Sequence, residues 1–195
     1  MEIDIKNIKA AYETATESEK KLLSTLFPDL PLGQTEKAPD DRPVTERIKT
    51  FEDAMLALGE EHPLVKEWHC GKNLSTDLKA YLQLRVICAA LNEGWEPQFT
   101  KEEWRWYPWY SLWTKSELAE QSDKWKADRH LIMIGDRFQS GYAGLAFAAS
   151  DDAPSCSSAY FGSRLCLKSE ALATYCGKQF IDLWADFMLM PRLKS

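Results

Sequence analysis

The sequence predicts an α+β domain with N-terminal helices, a small antiparallel sheet and a C-terminal helix packed on it. Three observations carry this expectation. Apolar residues recur at helical spacing up to Gly94, Gly, Pro, aromatic and β-branched residues replace that period from Trp95, and the helical period returns after Ser169. Helices, then strands, then one helix is the order of a chain whose helices cover one face of an antiparallel sheet. A parallel doubly wound sheet would need regular alternation of strand and helix.

Taken in order, Ile5, Ile8 and Tyr12 stand at helical spacing, and Thr16-Glu17-Ser18-Glu19 is a capping box that opens a second helix carrying Leu22, Leu23, Leu26 and Phe27. Pro28 ends it. Residues 28–43 hold four prolines and no periodicity and read as a linker, which divides the chain into a helical arm (1–27), that linker and a single α+β domain (44–195). An arm this small cannot bury its own apolar stripe, so it must dock on the domain, on another copy or on a partner. Thr45 and Thr50 are candidate caps for one or two helices ending at Gly59, followed by a loop with His62, Pro63, Trp68, His69 and Cys70. From Ser75 or Thr76 a helix runs to Gly94, apolar over so much of its circumference that it belongs in the centre of the core.

The strand region opens with WRWYPWYSLW, residues 104–113. Trp104, Trp106 and Tyr110 share one strand face, Tyr107 and Trp109 the other, and Pro108 marks an edge strand or a bulge. Residues 116–125 read as a short helix or a loop, and His130 to Ile134 as a buried strand. Alternation places Ala143, Leu145, Phe147 and Ala149 on one face of a strand over 142–149, and Phe161, Leu165 and Leu167 on one face of another over 159–167. The turn chemistry of SDDAPSCS between them makes the pair a hairpin. Ser169 caps one last amphipathic helix with Leu172, Cys176, Phe180, Leu183 and Phe187 in its stripe.

Composition narrows the function classes. The chain has 195 residues, 45% hydrophobic and 28% charged, which excludes collagen-like, disordered and coiled-coil readings of the whole. Its net charge of −6 argues against non-specific binding to polyphosphate while leaving a local basic groove open. No apolar run reaches the ~18 residues of a membrane span, and charges in residues 1–20 replace the apolar core of a signal peptide, so the chain reads as cytoplasmic with no membrane partner. Cys70, Cys88, Cys156, Cys166 and Cys176 are an odd number without a CxxC pair and read as free thiols.

The phrases ERIKTFEDA (46–54), DLKAYLQLRVICAALNEGW (77–95), YPWY (107–110) and YFGSRLCLKSEALATYCGKQFIDLWADFML (160–189) occur together here. Along roughly residues 44–189 the chain resembles a group of uncharacterised proteins of prophages and mobile elements of gut bacteria. The resemblance implies a phage-derived or accessory protein and carries over no catalytic residue and no cofactor. The Trp-rich, charged segment 111–129 departs from the group's shorter, Gly-richer one.

Sites for chemistry are sparse in the residues themselves. His62, His69 and Cys70 fit no common zinc spacing, neither a G-x-S-x-G nor a cysteine-protease signature is present, and no metal or cofactor is expected. Gly141-Tyr142-Ala143-Gly144 and Gly162-Ser163-Arg164 match no phosphate-binding fingerprint, and the acid pairs Glu102-Glu103 and Asp151-Asp152 read as solvated. The strongest candidates are therefore binding residues: Trp104, Trp106, Tyr107, Trp109, Tyr110 and Trp113, six aromatics in ten positions, which are either core packing or an exposed patch. Such a patch suits a protein partner or self-association, single-stranded nucleic acid with Arg105, Lys115, Lys124, Lys126, Arg129 and Arg137 nearby, or carbohydrate. Seven acids against seven basic residues in 101–137 weaken the nucleic-acid version. Arg164, read on a strand face opposite Phe161 and Leu165, is the seventh candidate, able to hold a carboxylate or phosphate or to tie the strand to a helix or an Asp. These residues point to a non-catalytic binding protein acting through protein contacts, with a single-stranded nucleic-acid-binding accessory protein and a carbohydrate-binding module or hydrolase as the alternatives.

Overall fold

The computed structural model describes residues 8, 11–12, 14–27, 41–98, 100, 102–154 and 163–192, and the chain divides into two compact units, Met1–Asp41 and Arg42–Ser195. Ile5, the linker through residue 40, Cys156 with its surrounding turn, Phe161 and Gly162 lie outside the described residues.

In the first unit Ile8, Ala11, Tyr12 and Thr14 are helical, and α1 spans Glu17–Leu26. The capping box forms: the Glu19 carboxylate accepts from the Thr16 amide and hydroxyl, each at 2.7 Å, and these two bonds lower its pKa. Leu23 is half-buried, but Leu22 and Leu26, one turn apart, remain 58% and 60% exposed.

The second unit is α+β, and its helices come first. α2 (Val44–Arg47) starts at Pro43, so Thr45 lies inside the turn instead of capping it. Thr50 does cap α3 (Phe51–Leu58): its hydroxyl accepts from the Asp53 amide at 3.1 Å while the Asp53 carboxylate accepts from the amides of Thr50 and Lys49. Gly59, at φ +83°, closes the helix. The expected loop at His62–Cys70 is instead a helix, α4 (Pro63–Cys70), because His62 Nδ1 accepts from the Leu64 amide at 3.2 Å and Pro63 occupies the first turn. α5 (Thr76–Asn92) is central, burying Ala80, Leu84, Val86, Ile87, Cys88, Ala90 and Leu91 against α3, α4 and the C-terminal helices.

The sheet comprises β1 (Trp104–Trp113), β2 (Ile132–Met133) and β3 (Gly144–Pro154), antiparallel in the order β1-β3-β2. Two short helices, α6 (Lys115–Ala119) and α7 (Asp123–Asp128), fill the segment between β1 and β2. The expected strand at 130–134 shrinks to two residues: His130 sits in a turn at φ +48°, Met133 is exposed, and Ile134 is buried beyond the strand.

Among the described residues the expected hairpin between 142–149 and 159–167 is not seen. β3 runs on to Pro154 and pairs with β1, Ser163–Leu165 is a 3-10 turn, and Leu167 makes a single bridge to Trp106. The even alternation expected of β3 also fails. Register steps from Trp109↔Ala149 to Tyr110↔Phe147, making Ala148 the extra residue of a bulge, and Ala149 turns to solvent while Gly144 to Phe147 are all buried. Arg129, at the end of α7, holds the bulge: its carbonyl accepts from the Phe147 amide at 2.9 Å and its guanidinium donates to the carbonyls of Phe147 and Ala148.

The expected single C-terminal helix is two, α8 (Glu170–Gln179), capped by Ser169, and α9 (Ile181–Met188), with the break at Phe180. The change of direction serves two cores. Leu172, Cys176, Phe180 and Trp184 join the main cluster around α5, whereas Ile181 and Ala185 join Ile134, Phe138 and Leu145 in a second one. α8 crosses β1 and β3 at Gly177, where an added methyl group would stand 2.5 Å from Pro108 Cβ and 2.9 Å from the Phe147 ring.

Candidate functional site

β1 lies at the edge of the sheet, as Pro108 suggests, and it distributes its six aromatic residues among different environments. Trp106 and Tyr110 face the helices and pack against the main cluster, and the Tyr110 hydroxyl donates to the Gly177 carbonyl at 2.9 Å. Burial holds the Tyr110 phenol well above its ordinary pKa. Tyr107 is buried on the other face, and burial, the largest influence, pushes its pKa up to about 12. Trp113 packs edge-on against Trp125 of α7 with ring centroids 4.7 Å apart. Only Trp104 (52%) and Trp109 (40%) are exposed among the six. They are five positions apart in the sequence, and alternation along β1 sends them to opposite faces. The single aromatic patch is thus resolved into packing residues and two separate exposed indoles.

The cations beside this strand are largely committed. Arg105 is completely buried, Arg129 holds the bulge, Arg137 bridges Asp182 and Asp186 at 2.6 and 2.9 Å, and Lys126 stands 3.8 Å from Asp123. Full burial of Arg105 follows from its place on the same strand face as Tyr107; the residue pattern alone reads it as one more surface cation.

Arg164 occupies the 3-10 turn, not a strand, and its side chain is exposed. The backbone that carries it is held from two sides. Trp106 and Leu167 exchange both amide–carbonyl hydrogen bonds, at 3.1 and 3.0 Å. From α5, the buried Asn92 amide donates to the Cys166 carbonyl at 2.9 Å and accepts from the Lys168 amide at 3.0 Å, acting as a second strand edge. Glu93, next to Asn92, accepts from Lys168 at 3.1 Å and from Arg47, and these cations keep its carboxyl below the usual range, the Lys168 hydrogen bond most strongly.

Beside Arg164 is a cleft of about 190 Å³. Leu64, Ala89, Trp95 and Pro97 supply apolar lining, the thiols Cys88 and Cys166 line it as well, and Arg85, Glu96 and Arg164 bring charge. Arg85 is engaged by both oxygens of Glu67, at 2.7 and 2.8 Å, and lies over the Tyr81 ring. Burial pushes Cys166 up to about 11, and Cys88 is raised chiefly by its hydrogen bond with the Cys176 thiol. Both are neutral thiols near neutral pH, suited to lining a pocket and poor as nucleophiles.

Two of the three histidines serve local structure: His62 caps α4, and His69 Nε2 lies 3.1 Å from Glu60. Among the described residues no group of three His, Cys, Asp or Glu side chains is placed to hold a metal ion, and no helix is long and apolar enough to cross a membrane. No protein-family model, curated protein or solved structure matches the chain.

Proposed function

We propose that this is a non-catalytic binding protein acting through protein contacts, with another copy of the chain as the first partner. The observation that carries the reading is the exposure of Leu22 and Leu26, 58% and 60%, on one face of α1. Two leucines one turn apart on an amphipathic helix are the usual anchors of a helix laid into an apolar groove. The arm itself presents a groove of about 350 Å³ of mixed polar and apolar lining, Ala11, Thr14, Ala15, Glu19, Leu22 and Leu23, so Leu22 stands both on the exposed ridge and at the edge of a groove. The exposed indoles Trp104 and Trp109 are further anchors of the kind that dominates protein interfaces.

The commitment of Arg105, Arg129 and Arg137 within the fold works against the nucleic-acid alternative, since a single-strand groove needs cations free to reach phosphates. The sequence resemblance would make such a contact protein an accessory of phage or mobile-element type. Analytical gel filtration of the wild-type chain and the Leu22→Glu/Leu26→Glu variant tests the reading. Concentration-dependent association in the wild type, abolished in the variant at unchanged helix content, is expected; identical elution of both at every concentration contradicts it.

A further inference from the structure

We propose that the cleft beside Arg164 binds a small zwitterion of amino-acid type, an α-carboxylate and an α-ammonium on an apolar side chain. The inference is independent of the arm contact and rests on which charges of the cleft are already used. Arg85 is neutralised by Glu67, and the Asn92 amide is spent on the backbone at Cys166 and Lys168. Lys168, beside the cleft in sequence, is tied to Glu93. That leaves Arg164 and Glu96, both exposed, neither engaged through its side chain in a hydrogen bond or ion pair with any described residue. One positive and one negative group line the same small cleft without pairing to each other.

A simple anion would meet Arg164 but also the Glu96 carboxylate, and a simple cation would meet the reverse. A ligand carrying both charges satisfies both groups, its carboxylate accepting from the Arg164 guanidinium and its ammonium donating to Glu96. The rest of the lining suits an apolar side chain, being Leu64, Ala89, Pro97, the Trp95 indole and two neutral thiols. The volume of about 190 Å³ is below that of pockets for drug-sized molecules and sufficient for one side chain. The backbone directly after Arg164 is anchored, residues 166–168 being bonded to Asn92 and Trp106, and the Arg164 side chain itself reaches solvent beside the cleft.

The test is isothermal titration calorimetry of the full chain with four probes: L-leucine, L-phenylalanine, 3-phenylpropionate, which lacks the ammonium, and phenethylamine, which lacks the carboxylate. L-phenylalanine is expected to bind saturably at one site, with both truncated probes weaker by about tenfold, the loss of one charge-assisted hydrogen bond, and L-leucine to bind at the same site. Arg164→Gln should erase the preference for L-phenylalanine over phenethylamine, and Glu96→Gln the preference over 3-phenylpropionate. Both side chains are exposed, so both variants should fold with unchanged unfolding midpoints. Trp95→Leu should weaken all four probes alike. Leu22→Glu/Leu26→Glu should leave binding unchanged, which separates failure here from failure of the arm contact. Absence of L-phenylalanine binding, equal binding of L-phenylalanine and its truncated analogues, or L-phenylalanine binding unaffected by Arg164→Gln would each overturn the proposal.

Discussion

Asn92 joins the two halves of the fold with one side chain. Its donor and acceptor meet backbone groups at positions 166 and 168, more than seventy residues away, in a buried setting where an unmet partner is expensive. Asn92→Leu should therefore destabilise the chain by about 2–4 kcal/mol, read from urea unfolding, since it strands a carbonyl and an amide as well as removing two bonds. A smaller loss, within the range of a surface substitution, would mean that the 165–168 segment is held by Leu167 and Trp106 alone. Gly177 acts through the absence of a side chain. Gly177→Ala drives a methyl group into Pro108 and Phe147, and about 1–3 kcal/mol of destabilisation is expected from overpacking. A neutral outcome would show that α8 can withdraw from the sheet at no cost.

Among elements, β1 shows how the same residue type serves different ends in one strand. Replacing Trp106 by Ala should cost about 3 kcal/mol or more, as for other large aromatic residues packed on a core. Trp104→Ala and Trp109→Ala should each cost clearly less; thermal unfolding of the three variants checks the order. Local signals in the residues locate some helix starts: Thr16, Thr50 and Ser169 cap or flank helices where expected, because a cap is decided by side chains within three positions of the amide it serves. What the pattern misses is set by distant contacts. The bulge at Ala148 depends on Arg129, the break at Phe180 on a second core around Ile134, and the 3-10 turn at Arg164 on Asn92 and Trp106. His62 is misread for a subtler reason: histidine is an uncommon cap, so His-Pro looks like the interior of a loop. Of the candidate site, Arg164 and the two exposed indoles lie within the residues nominated from sequence. Trp95 and Glu96 escape notice because only the fold brings them beside Arg164.

For the whole molecule, acid is a predictable stress. Asp53 is held below its ordinary pKa by hydrogen bonds from the Lys49 amide and from Thr50, and Glu93 by Lys168 and Arg47. Each lowered carboxylate contributes stability that is present above its unfolded pKa and lost as pH falls through the lower folded value. Urea midpoints should thus stay level from pH 7 to about 5 and drop below about 4. Glu93→Gln should flatten part of that drop, and an unchanged acid limb in this variant would remove Glu93 from the explanation. Leu22 and Leu26 exposed one turn apart on a capped helix are the surface on which the proposed self-contact rests. Sedimentation equilibrium of the full chain across a wide concentration range tests this most directly. A weight-average mass that climbs from 22.4 kDa toward twice that value, and stays at the monomer mass when Leu22 and Leu26 are both replaced by Glu, is the predicted result. A wild-type mass that remains 22.4 kDa at every concentration would contradict self-contact through the arm.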